Sequence, residues 1–572
     1  MGPDLVAGEQ IKYGGAVVWE EVEKILNGVF ETHEPLPELT TGYLYPLNKP
    51  DKPGKHKTAD MTRPLIFLPV VRKILSNIVL SRITAAVNGF LSLGQHAYRA
   101  GRSTTEIVWT AQWLVATAEK YGERIHIIAL DLSKAFDSLD RGTLIQILEE
   151  NELAGEDELR IISYLLSDTT LRVKVGSSIS EQFKTSIGTP QGDALSPILF
   201  LIYLEHTLRR HRRRNLLTAI ELEMAYADDI HYVTKDSDLN RGVRHLGERA
   251  YTYRRGCQCA ACRAKQIELS MPEDMAVDNM QCNGDKTVHV ELIPKKARET
   301  AFELLGNNTN PDLEIVKRRG NATKAFAGLI RIWSRRSDIK PELKMKLYNA
   351  IVKPHLTYNA GASAYTGMQA EALNRLHRRQ LRRLLNVYYP EHISNAEVYR
   401  RTKAYPISID IAKMRWSFLG HALRQHRGTP ANTIMRNYYK RRELEGGPVR
   451  VPLPRSLCLT TVPRLLQRDL KQFSKTDRTN FFGGAQKLSR GSDLVKLENL
   501  AQNREHWKKA VEKIRATAES KWNGKERNRL ARKAAREAEA ALTRSRAAAE
   551  AQRPSTRRQT TLMEHFRNFN IT

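Results

Sequence analysis

The chain has 572 residues, of which 41% are hydrophobic and 7% aromatic, so it is long enough to build several domains with real cores. Its net charge of +29 favours a polyanionic partner, above all nucleic acid; a cationic surface that only keeps the protein in solution is the alternative. Five sparse cysteines argue for a reducing compartment, and the absence of an apolar run of about 18 residues excludes a predicted transmembrane helix.

The first half of the chain alternates predicted helices and strands. Apolar residues at helical spacing predict amphipathic helices over residues 14–30 and 72–91. Between them, residues 36–71 predict two strands joined by a cationic loop rich in Lys, Pro and Gly. A buried strand is predicted over residues 124–133, followed by helical residues 140–166 and a β-hairpin around a Gly-Ser-Ser turn. This mixture indicates an α+β architecture.

The second half is predicted to be mostly helical. Residues 320–425 repeat Leu and Arg with few strand signals. A linker rich in Pro and Gly over residues 446–456 precedes helices within residues 461–516. Residues 520–552 are rich in Ala, Arg and Glu and predict one solvated basic helix, followed by a polar tail.

The stretch AYADDIHYV, residues 225–233, places two adjacent carboxylates, Asp228 and Asp229, between two apolar runs typical of strands. This pattern predicts a β-hairpin with the acids at its tip; an ordinary two-acid turn is the alternative. Asp131 ends another predicted strand, so if the strands are neighbours three carboxylates come together. Such a cluster requires cations, and oxygen ligands favour Mg²⁺, of which a pair about 4 Å apart serves phosphoryl transfer.

Seven segments resemble the successive motifs of reverse transcriptases in order and spacing. They are TRPLIFLPVVRKIL, HAYRAGRSTTE, ALDLSKAFDSLD, GTPQGDALSPILF, AYADDI, NGDKTVHVEL and FELLG. The resemblance implies a right-hand polymerase of the α+β class, with mixed α/β fingers and palm, a ferredoxin-like palm sheet, a helical thumb and a helical basic C-terminal region. The implied domains are fingers with part of the palm at 1–125, palm with the catalytic acids and a Cys-rich insertion at 126–310, thumb at 311–430, and linker, helices and basic tail at 431–572.

The resemblance assigns roles around the acids. Asp131 and Asp228 match the direct ligands of two Mg²⁺ ions, and Asp229 matches a weaker or supporting ligand. Leu132 would offer its backbone carbonyl to the ion that carries the nucleotide. Lys286 matches the lysine proposed as general acid to the leaving pyrophosphate, with an ordinary surface lysine as the alternative.

Four further positions match nucleotide-binding residues of the family. Phe136 resembles the steric gate that rejects a ribose 2′-hydroxyl, so deoxynucleotides are the expected substrates and an RNA-templated RNA polymerase is disfavoured. Gln191 resembles the residue near the incoming sugar and the template. Lys49 and Arg63 resemble the fingers residues that clamp the triphosphate, although two other lysines lie close to Lys49 in the cationic loop.

The second half distinguishes between classes of reverse transcriptase. LNRLHRRQLRRLLNV and the stretch around Trp416, Gly420 and His421 are similar to the thumb and post-thumb regions of non-LTR (LINE-type) retrotransposon polymerases. LENLAQNREHWKKAVEKI resembles the closing segment of that family, so the resemblance extends to about residue 515. An intron-encoded maturase shares GTPQG and YADD and is the alternative among enzymes, but its zinc-binding, His-Asn-His ending is not recognised in the sequence.

LINE proteins normally carry an endonuclease before or after the polymerase. Here GPDLVAGEQIKYGG resembles the entrance of the polymerase itself, and no Cys/His cluster with an acid-rich domain is recognised past residue 430. We therefore expect a polymerase that lacks its endonuclease domain. A catalytically silent, nucleic-acid-binding relic of the same fold is the alternative outside the enzymes.

Four of the five cysteines fall between the acidic tip and Lys286, where the usual spacer of the family is short and helical. They are Cys257, Cys259, Cys262 and Cys282. Four thiols within 26 residues predict one structural Zn²⁺ in tetrahedral coordination. A reduced, partly buried cluster of thiols is the alternative.

The tail segment RQTTLMEHFRNF resembles a peptide that binds a sliding clamp (PCNA). Gln559, Leu562 and Phe566 occupy its first, fourth and eighth positions, and His565 stands at the seventh, where an aromatic residue is usual. Such a peptide forms one helical turn and anchors its apolar side chains in a groove. A plain disordered tail is the alternative.

Together these features predict an RNA-directed DNA polymerase that extends a DNA 3′-hydroxyl on an RNA template. The expected partners are the RNA template, the DNA primer, dNTPs and, through the tail, a sliding clamp; no membrane is expected. The predicted activity and basic runs such as RRHRRR favour a nuclear location, with the cytoplasm as an alternative.

Overall fold

The computed structural model describes residues 2–32, 36–49, 58, 61–167, 169–214, 222–235, 260–278, 280–284, 286–294, 296–333, 339–444, 460–486, 488 and 490–551. The chain forms two compact units. Unit 1 comprises Met1–Arg318, Tyr358–Gln369 and Arg415–Trp507, and unit 2 comprises Arg319–Thr357, Ala370–Met414 and Lys508–Thr572. Each unit is therefore assembled from segments that are distant in the sequence, whereas the sequence motifs divide the chain consecutively.

The helices are numbered in chain order. They are α1 Gly8–Tyr13, α2 Gly15–Thr32, α3 Val70–Phe90, α4 Thr104–Tyr121, α5 Arg141–Glu150, α6 Glu156–Ser167, α7 Ser196–Arg214, α8 Ala260–Ala276, α9 Pro311–Trp333, α10 Pro341–Leu347, α11 Lys353–Thr357, α12 Gly367–Leu384, α13 Asn395–Thr402, α14 Ile407–Arg424, α15 Pro430–Leu444, α16 Val462–Leu470, α17 Lys475–Phe482, α18 Gly491–Ala501 and α19 Arg504–Ala551. Among these described helices, none combines the length and the apolar character needed to cross a bilayer.

The strands are also numbered in chain order. They are β1 Thr41–Asn48, β2 Thr62–Phe67, β3 Ile125–Leu130, β4 Leu132–Ser133, β5 Thr170–Val175, β6 Ser178–Ile179, β7 Phe183–Lys184, β8 Leu222–Tyr226, β9 Asp229–Lys235, β10 Gln281–Cys282, β11 Val288–Leu292, β12 Glu303–Leu304 and β13 Asn307–Asn308. Together with the helices they confirm the predicted α+β class.

The first sheet has the strand order β2-β1-β5-β6, and β7 pairs with β5 as well. β1 runs parallel to β5 and antiparallel to β2, with Tyr43 opposite Phe67. The predicted strand pair within residues 36–71 is therefore confirmed. Most of the predicted cationic loop between them lies outside the described residues.

The second sheet is antiparallel and has the order β11-β3-β9-β8. β3 is a central strand of sequence IHIIAL and is almost wholly buried, as expected for a strand covered on both faces. Its apolar side chains join one large core with helices α3, α5, α6, α7 and α8, which supply Leu75, Ile147, Ile162, Phe200 and Ile267. This core fixes the sheet edge where the predicted acids lie.

Helix α4 is buried along nearly its whole length, and its buried residues include charged side chains such as Glu106 and Lys120. Helix α15 packs on it within unit 1, with the rings of Trp113 and Tyr438 5.1 Å apart. The Lys120 ammonium donates a hydrogen bond to the Tyr438 carbonyl at 2.7 Å. A segment more than 300 residues further along the chain thus completes the core around α4.

The stretch that resembles the post-thumb region packs against the segment that resembles the closing region. A Cβ on Gly420 would lie 2.0 Å from Trp507 Nε1, so only glycine allows α14 and α19 to approach this closely. Trp507 Nε1 donates to the Trp416 carbonyl at 3.0 Å, and Trp416 Nε1 donates to Asp469 at 3.0 Å. These contacts show that the two stretches, which are far apart in the sequence, pack together in one core.

The regular elements in the described part of unit 2 are all helices. Its core includes Tyr348, whose hydroxyl lies 2.8 Å from His377 Nδ1 and donates to Gln380 Oε1 at 2.8 Å. The predicted basic helix over residues 520–552 is the second part of α19, which already begins at Arg504. The helix continues because this stretch is rich in Ala, Arg and Glu, and the lone Gly524 is too weak a breaker to end it.

Candidate active site

The two adjacent acids lie at a tight turn between β8 and β9, as predicted. Tyr226 pairs with Asp229 in the ladder, so Ala227 and Asp228 form the turn and Asp229 is the first residue of β9. Ala227 has a φ of 56°, a left-handed conformation that a non-glycine residue adopts only when its surroundings hold it there. The turn is therefore a constrained feature of the sheet.

Asp131 follows directly after β3 and reaches the same sheet edge. β3 and β9 pair with Leu130 opposite Ile230, which brings Asp131 next to Asp229. The expectation that the two acid-bearing strands are neighbours is confirmed by this register. Three carboxylates thus meet where two central strands end.

A short ribbon holds two further polar side chains against Asp131. Cys282 of β10 pairs with Leu132 of β4, and the Asn283 backbone N–H donates to the Asp131 carbonyl at 2.7 Å. Asn283 Nδ2 and Lys286 Nζ both donate to Asp131 Oδ2, at 3.2 and 2.9 Å. Lys286 is therefore a direct partner of the acid cluster, although its side chain is mostly exposed.

The acids at the turn are poorly compensated electrostatically. Burial, together with the charges of Asp228 and Asp131, raises the pKa of Asp229 to about 6. Burial also raises the pKa of Asp228, with Asp131 adding to the effect and Lys286 opposing it. One ammonium thus faces three carboxylates, and the cluster retains an affinity for further positive charge.

The donor set fits a hard divalent cation, because it offers carboxylate oxygens whose mutual repulsion a cation would relieve. In the part of the chain that is described, no group of three or more His, Cys, Asp or Glu side chains stands ready to hold a metal ion. The Lys286 ammonium and the Asn283 amide both donate to one of the two Asp131 carboxylate oxygens, Oδ2, so an ion bound through that oxygen would compete with them.

Phe136 and Gln191 lie on two loops that meet beside the acids. The Phe136 ring packs on Phe200, with 4.7 Å between the ring centroids, so its position is fixed by the core. Gln191 Nε2 donates to Asp137 Oδ1 at 3.3 Å, and the Thr189 N–H donates to the Phe136 carbonyl at 2.9 Å. The predicted gate and the predicted sugar-side residue are thus brought together.

The loop that carries Gln191 also binds the first sheet. The Ile66 N–H donates to the Gln191 carbonyl at 2.8 Å. Gly192 has a φ of 132°, and a Cβ there would lie 2.3 Å from the Ile66 carbonyl oxygen, so glycine is required. This loop therefore links the strand pair β1–β2 to the acid-bearing sheet.

The two predicted triphosphate-binding residues lie on that strand pair. Arg63 is an exposed residue of β2, opposite Leu47. The Lys49 N–H continues the ladder by donating to the Met61 carbonyl at 3.0 Å. Burial raises the pKa of Asp137, while the hydrogen bond from Gln191 and the charges of Lys134 and Lys49 partly oppose this rise, so the Lys49 charge acts on the residue next to Phe136.

Of the predicted zinc and clamp-binding residues, only two cysteines lie within the described part of the chain. Cys262 on α8 is buried, and burial raises the pKa of the half-buried Cys282 to about 11, which favours the neutral thiol over the thiolate that zinc requires. Cys257 and Cys259 lie outside the described residues. The same is true of the proposed clamp-binding residues Gln559, Leu562 and Phe566.

Sequence reasoning missed the residue that supports the turn. The buried Gln95 side chain accepts from the Ala227 N–H at 3.0 Å and donates to the Ala227 carbonyl at 3.3 Å. The neighbouring His96 N–H donates to the Ala225 carbonyl at 2.8 Å. Gln95 directly precedes the motif HAYRAGR in the sequence. No local pattern indicates that its side-chain amide binds a turn 132 residues away.

A second missed cluster surrounds Glu106 on α4. This fully buried carboxylate lies 2.7 Å from His96 Nδ1, 2.9 Å from His421 Nε2 and 3.0 Å from Arg102 Nη1. Burial alone would raise its pKa, but the hydrogen bonds from His421 and His96, with the charge of Arg102, lower the pKa to about 2. His421, singled out by the resemblance, thus binds this buried acid within unit 1.

Residues 49–255 match the family model described as reverse transcriptase (RNA-dependent DNA polymerase). The chain is 26% identical over 165 residues to a probable RNA-directed DNA polymerase from the transposon X-element of Drosophila melanogaster, covering 28% of this chain and 18% of that protein. It is 23% identical over 375 residues to the RNA-directed DNA polymerase from the mobile element jockey of the same fly, covering 64% and 39%. The chain spans less than half the length of either relative.

Among solved structures, the chain is similar to an apo telomerase from Candida tropicalis. The alignment covers 70% of this chain and 65% of that one, with 11% identity and a TM-score of 0.37. The family match itself covers the acid tip, Phe136, Gln191 and both triphosphate-binding candidates, and it ends before Lys286.

Proposed function

We propose that this chain, which carries a reverse transcriptase domain over residues 49–255, is an RNA-directed DNA polymerase of the non-LTR retrotransposon type. The observation that carries the proposal is the meeting of Asp131, Asp228 and Asp229 at one sheet edge with Lys286 as their partner. Its fingers, palm and thumb follow the domain limits derived from the motifs. The substrates would be an RNA template, a DNA primer and dNTPs.

The acids serve to bind cations and to hold the reacting groups. Reverse transcriptases use divalent metal ions, and we assign two Mg²⁺ to Asp131 and Asp228, with Asp229 in support and the Leu132 carbonyl on the nucleotide side. Such ions, when bound, stabilise the attacking and leaving oxygens of phosphoryl transfer. The raised pKa values of Asp228 and Asp229 support this role, because a cation would relieve their repulsion.

Lys286 then acts as a proton donor. In the free protein its ammonium donates to Asp131, which raises the pKa of Lys286 and keeps it protonated. Once parted from Asp131, whose carboxylate would be needed to hold a metal ion, this ammonium would be free to donate a proton to the leaving pyrophosphate.

The sugar and the triphosphate would be bound by the two loops beside the acids. The Phe136 ring cannot retreat from a 2′-hydroxyl because Phe200 lies behind it, which supports selection of deoxynucleotides. Gln191 would contact the sugar, while Lys49 and Arg63 would bind the phosphates as charged donors. The zinc site, the clamp-binding tail and the nuclear location remain proposals that rest on the sequence.

Primer extension on an RNA template tests the function, with dNTPs or rNTPs, with and without Mg²⁺. Mg²⁺-dependent DNA synthesis is expected, and it should vanish in Asp131→Ala and Asp228→Ala while RNA binding persists. Glu291→Gln, a change of a partly exposed acid in the same sheet, is the matched control and should extend like the wild type. Wild-type protein that binds RNA but makes no product would favour the silent relic, and active Asp variants would overturn the site.

A further inference from the structure

Unit 2 contains a pocket that the proposed chemistry does not use. It lies between the turn that joins α13 to α14 and the middle of α19, and its volume is about 350 Å³. This is at the lower end of the roughly 300–1,000 Å³ typical of ligand sites. All of its lining residues belong to unit 2.

Aromatic side chains form the walls of this pocket. Trp522 meets Tyr399 edge to face, with 5.2 Å between the ring centroids, so the buried Tyr399 holds the indole in place. Tyr405 lines the pocket with 37% of its surface exposed. The Arg515 guanidinium lies 5.2 Å from the Tyr405 ring centroid and restrains that ring. The pocket therefore offers fixed aromatic surfaces to a flat ligand.

The polar groups are distributed between the rim and the wall. Lys403 is exposed at the end of α13, where its φ of 50° turns the chain back toward α14. Arg400 is exposed too, but Glu397 binds it at 2.7 Å and neutralises much of its charge. Asn523 offers an amide, and Glu519 offers a carboxylate whose Oε2 lies 3.5 Å from Arg515 Nη1. The pocket thus offers hydrogen-bonding groups to a base, and the exposed Lys403 ammonium can bind an adjoining phosphate.

We propose that this pocket binds one unpaired nucleotide of a nucleic-acid strand, with the base against Tyr405 and Trp522 and the adjoining phosphate at Lys403. Stacking on aromatic side chains and backbone attraction to cations are the two means by which proteins bind single strands. Asn523 and Glu519 can accept hydrogen bonds from the amino groups of a base, which a bare anion does not offer. The choice of nucleic acid as ligand rests on the proposed function; the pocket itself does not.

Binding of short labelled single strands to the full-length protein tests the proposal by fluorescence anisotropy. The probes are a 12-nucleotide RNA, the corresponding DNA and an abasic strand of the same length. Tyr405→Ala should weaken binding of the base-bearing strands about fivefold or more and leave the abasic strand unchanged, because it removes the stacking surface for a base and keeps the Lys403 ammonium. Lys403→Asn should weaken all three; asparagine tolerates the left-handed backbone.

The matched control is the double variant Tyr388→Ala/Lys340→Gln, which removes one exposed aromatic and one exposed cation of unit 2 that do not line the pocket. It should bind every probe like the wild type. A second readout is quenching of tryptophan emission by the strands, which should shrink in Trp522→Phe. Equal binding by Tyr405→Ala and wild type, or an equal loss in the control, would overturn the proposal; unchanged melting temperatures exclude misfolding as the cause.

The outcomes separate this pocket from the polymerase itself. If Tyr405→Ala binds both RNA and DNA more weakly, the pocket does not distinguish ribose from deoxyribose. If it binds only one of them more weakly, that nucleic acid is the ligand of the pocket. If the wild type makes no DNA but Tyr405→Ala still binds the strands more weakly, the proposed polymerase function is wrong and nucleotide binding by the pocket is supported. If the wild type makes DNA and Tyr405→Ala binds normally, only the proposal for the pocket is wrong.

Discussion

Unit 1 buries carboxylates in two places, the acid cluster at the sheet edge and Glu106 on α4, and it compensates their charges differently. Glu106 is fully buried but lies within hydrogen-bonding distance of His96, His421 and Arg102, and its pKa falls to about 2. Asp229 is less buried, yet burial raises its pKa to about 6, with the charges of Asp228 and Asp131 adding to the rise. The protein compensates one acid fully and leaves the others short of positive charge.

This difference separates a structural acid from acids kept for function. A fully paired carboxylate contributes to folding and has no affinity to spare for a ligand. Carboxylates that repel one another cost folding free energy, and that cost is recovered when one of them is protonated or when a cation binds. Removing charge from the two regions should therefore have opposite effects on stability, while only one of them governs synthesis.

The largest expected effect is on synthesis. Asp228→Asn keeps the shape of the side chain but removes its charge, so we expect primer extension to fall roughly a thousandfold or more, as losses of preorganised charge in active sites do. Thermal unfolding of the same variant should begin at the wild-type temperature or above it, because a repelled carboxylate is gone. A variant that loses activity only together with its fold would place Asp228 with Glu106 as a structural acid.

The next effect is on stability. Glu106→Gln removes the charge that compensates Arg102 and its histidine partners, and breaking a buried pair in this way costs about 3 kcal/mol or more. Chemical denaturation should show this loss at neutral pH. The wild type should lose the same stabilisation as the pH falls from about 4 toward about 2, because a lowered pKa stabilises only while the group is ionised. Equal stability of variant and wild type at neutral pH would contradict the assignment.

Gln95→Ala should have a smaller, mixed effect. It leaves the buried backbone groups of Ala227 without two hydrogen bonds, which costs about 1–3 kcal/mol. Asp228 should then be held less firmly, so the Mg²⁺ concentration needed for half-maximal synthesis should rise. That shift distinguishes a positioning role from simple destabilisation, and Ala227→Gly, which relieves the left-handed backbone, should restore stability without restoring the metal dependence.

The sequence predicted the regions where local pattern determines structure. The alternating runs around Asp228 and Asp229 predict the hairpin, and the apolar run before Asp131 predicts a buried strand that ends in an acid. Both outcomes follow from periodicity and need no knowledge of distant segments. The steric position of Phe136 came instead from the resemblance, and its support by Phe200 became visible only in the folded chain.

Long-range partners could not be predicted in this way. Glu106 and His421 are 315 residues apart, and Gln95 binds a turn 132 residues away, so neither sequence neighbourhood records its partner. The close approach of Gly420 and Trp507 likewise depends on two helices from separate segments. Domain limits drawn as consecutive ranges of the sequence do not include such contacts. Packing between distant elements determines the two units, and each unit combines separate segments of the chain.

The smallest expected effect is on the pH dependence of the free energy of unfolding. It measures how much the ionised acid cluster destabilises the folded state. Because the pKa of Asp229 is raised to about 6, the folded state binds more protons than the unfolded state between about pH 4 and about pH 6. Stability should therefore fall as the pH rises through this window, by about 1–2 kcal/mol after allowance for solvent screening. Asp229→Asn should flatten this decline in urea unfolding.

Asp140 provides the matched control for this measurement. Its side chain caps α5 by accepting from the Thr143 N–H at 2.7 Å, and this hydrogen bond lowers its pKa. Asp140 therefore stabilises the fold above the ordinary pKa of aspartate and loses that contribution as the pH falls, the opposite sign to Asp229. Mg²⁺ should reduce the decline in the wild type and leave the Asp229→Asn profile nearly unchanged. An equal decline in wild type and Asp229→Asn would mean that the carboxylates at the turn are compensated after all, and the contrast with Glu106 would disappear.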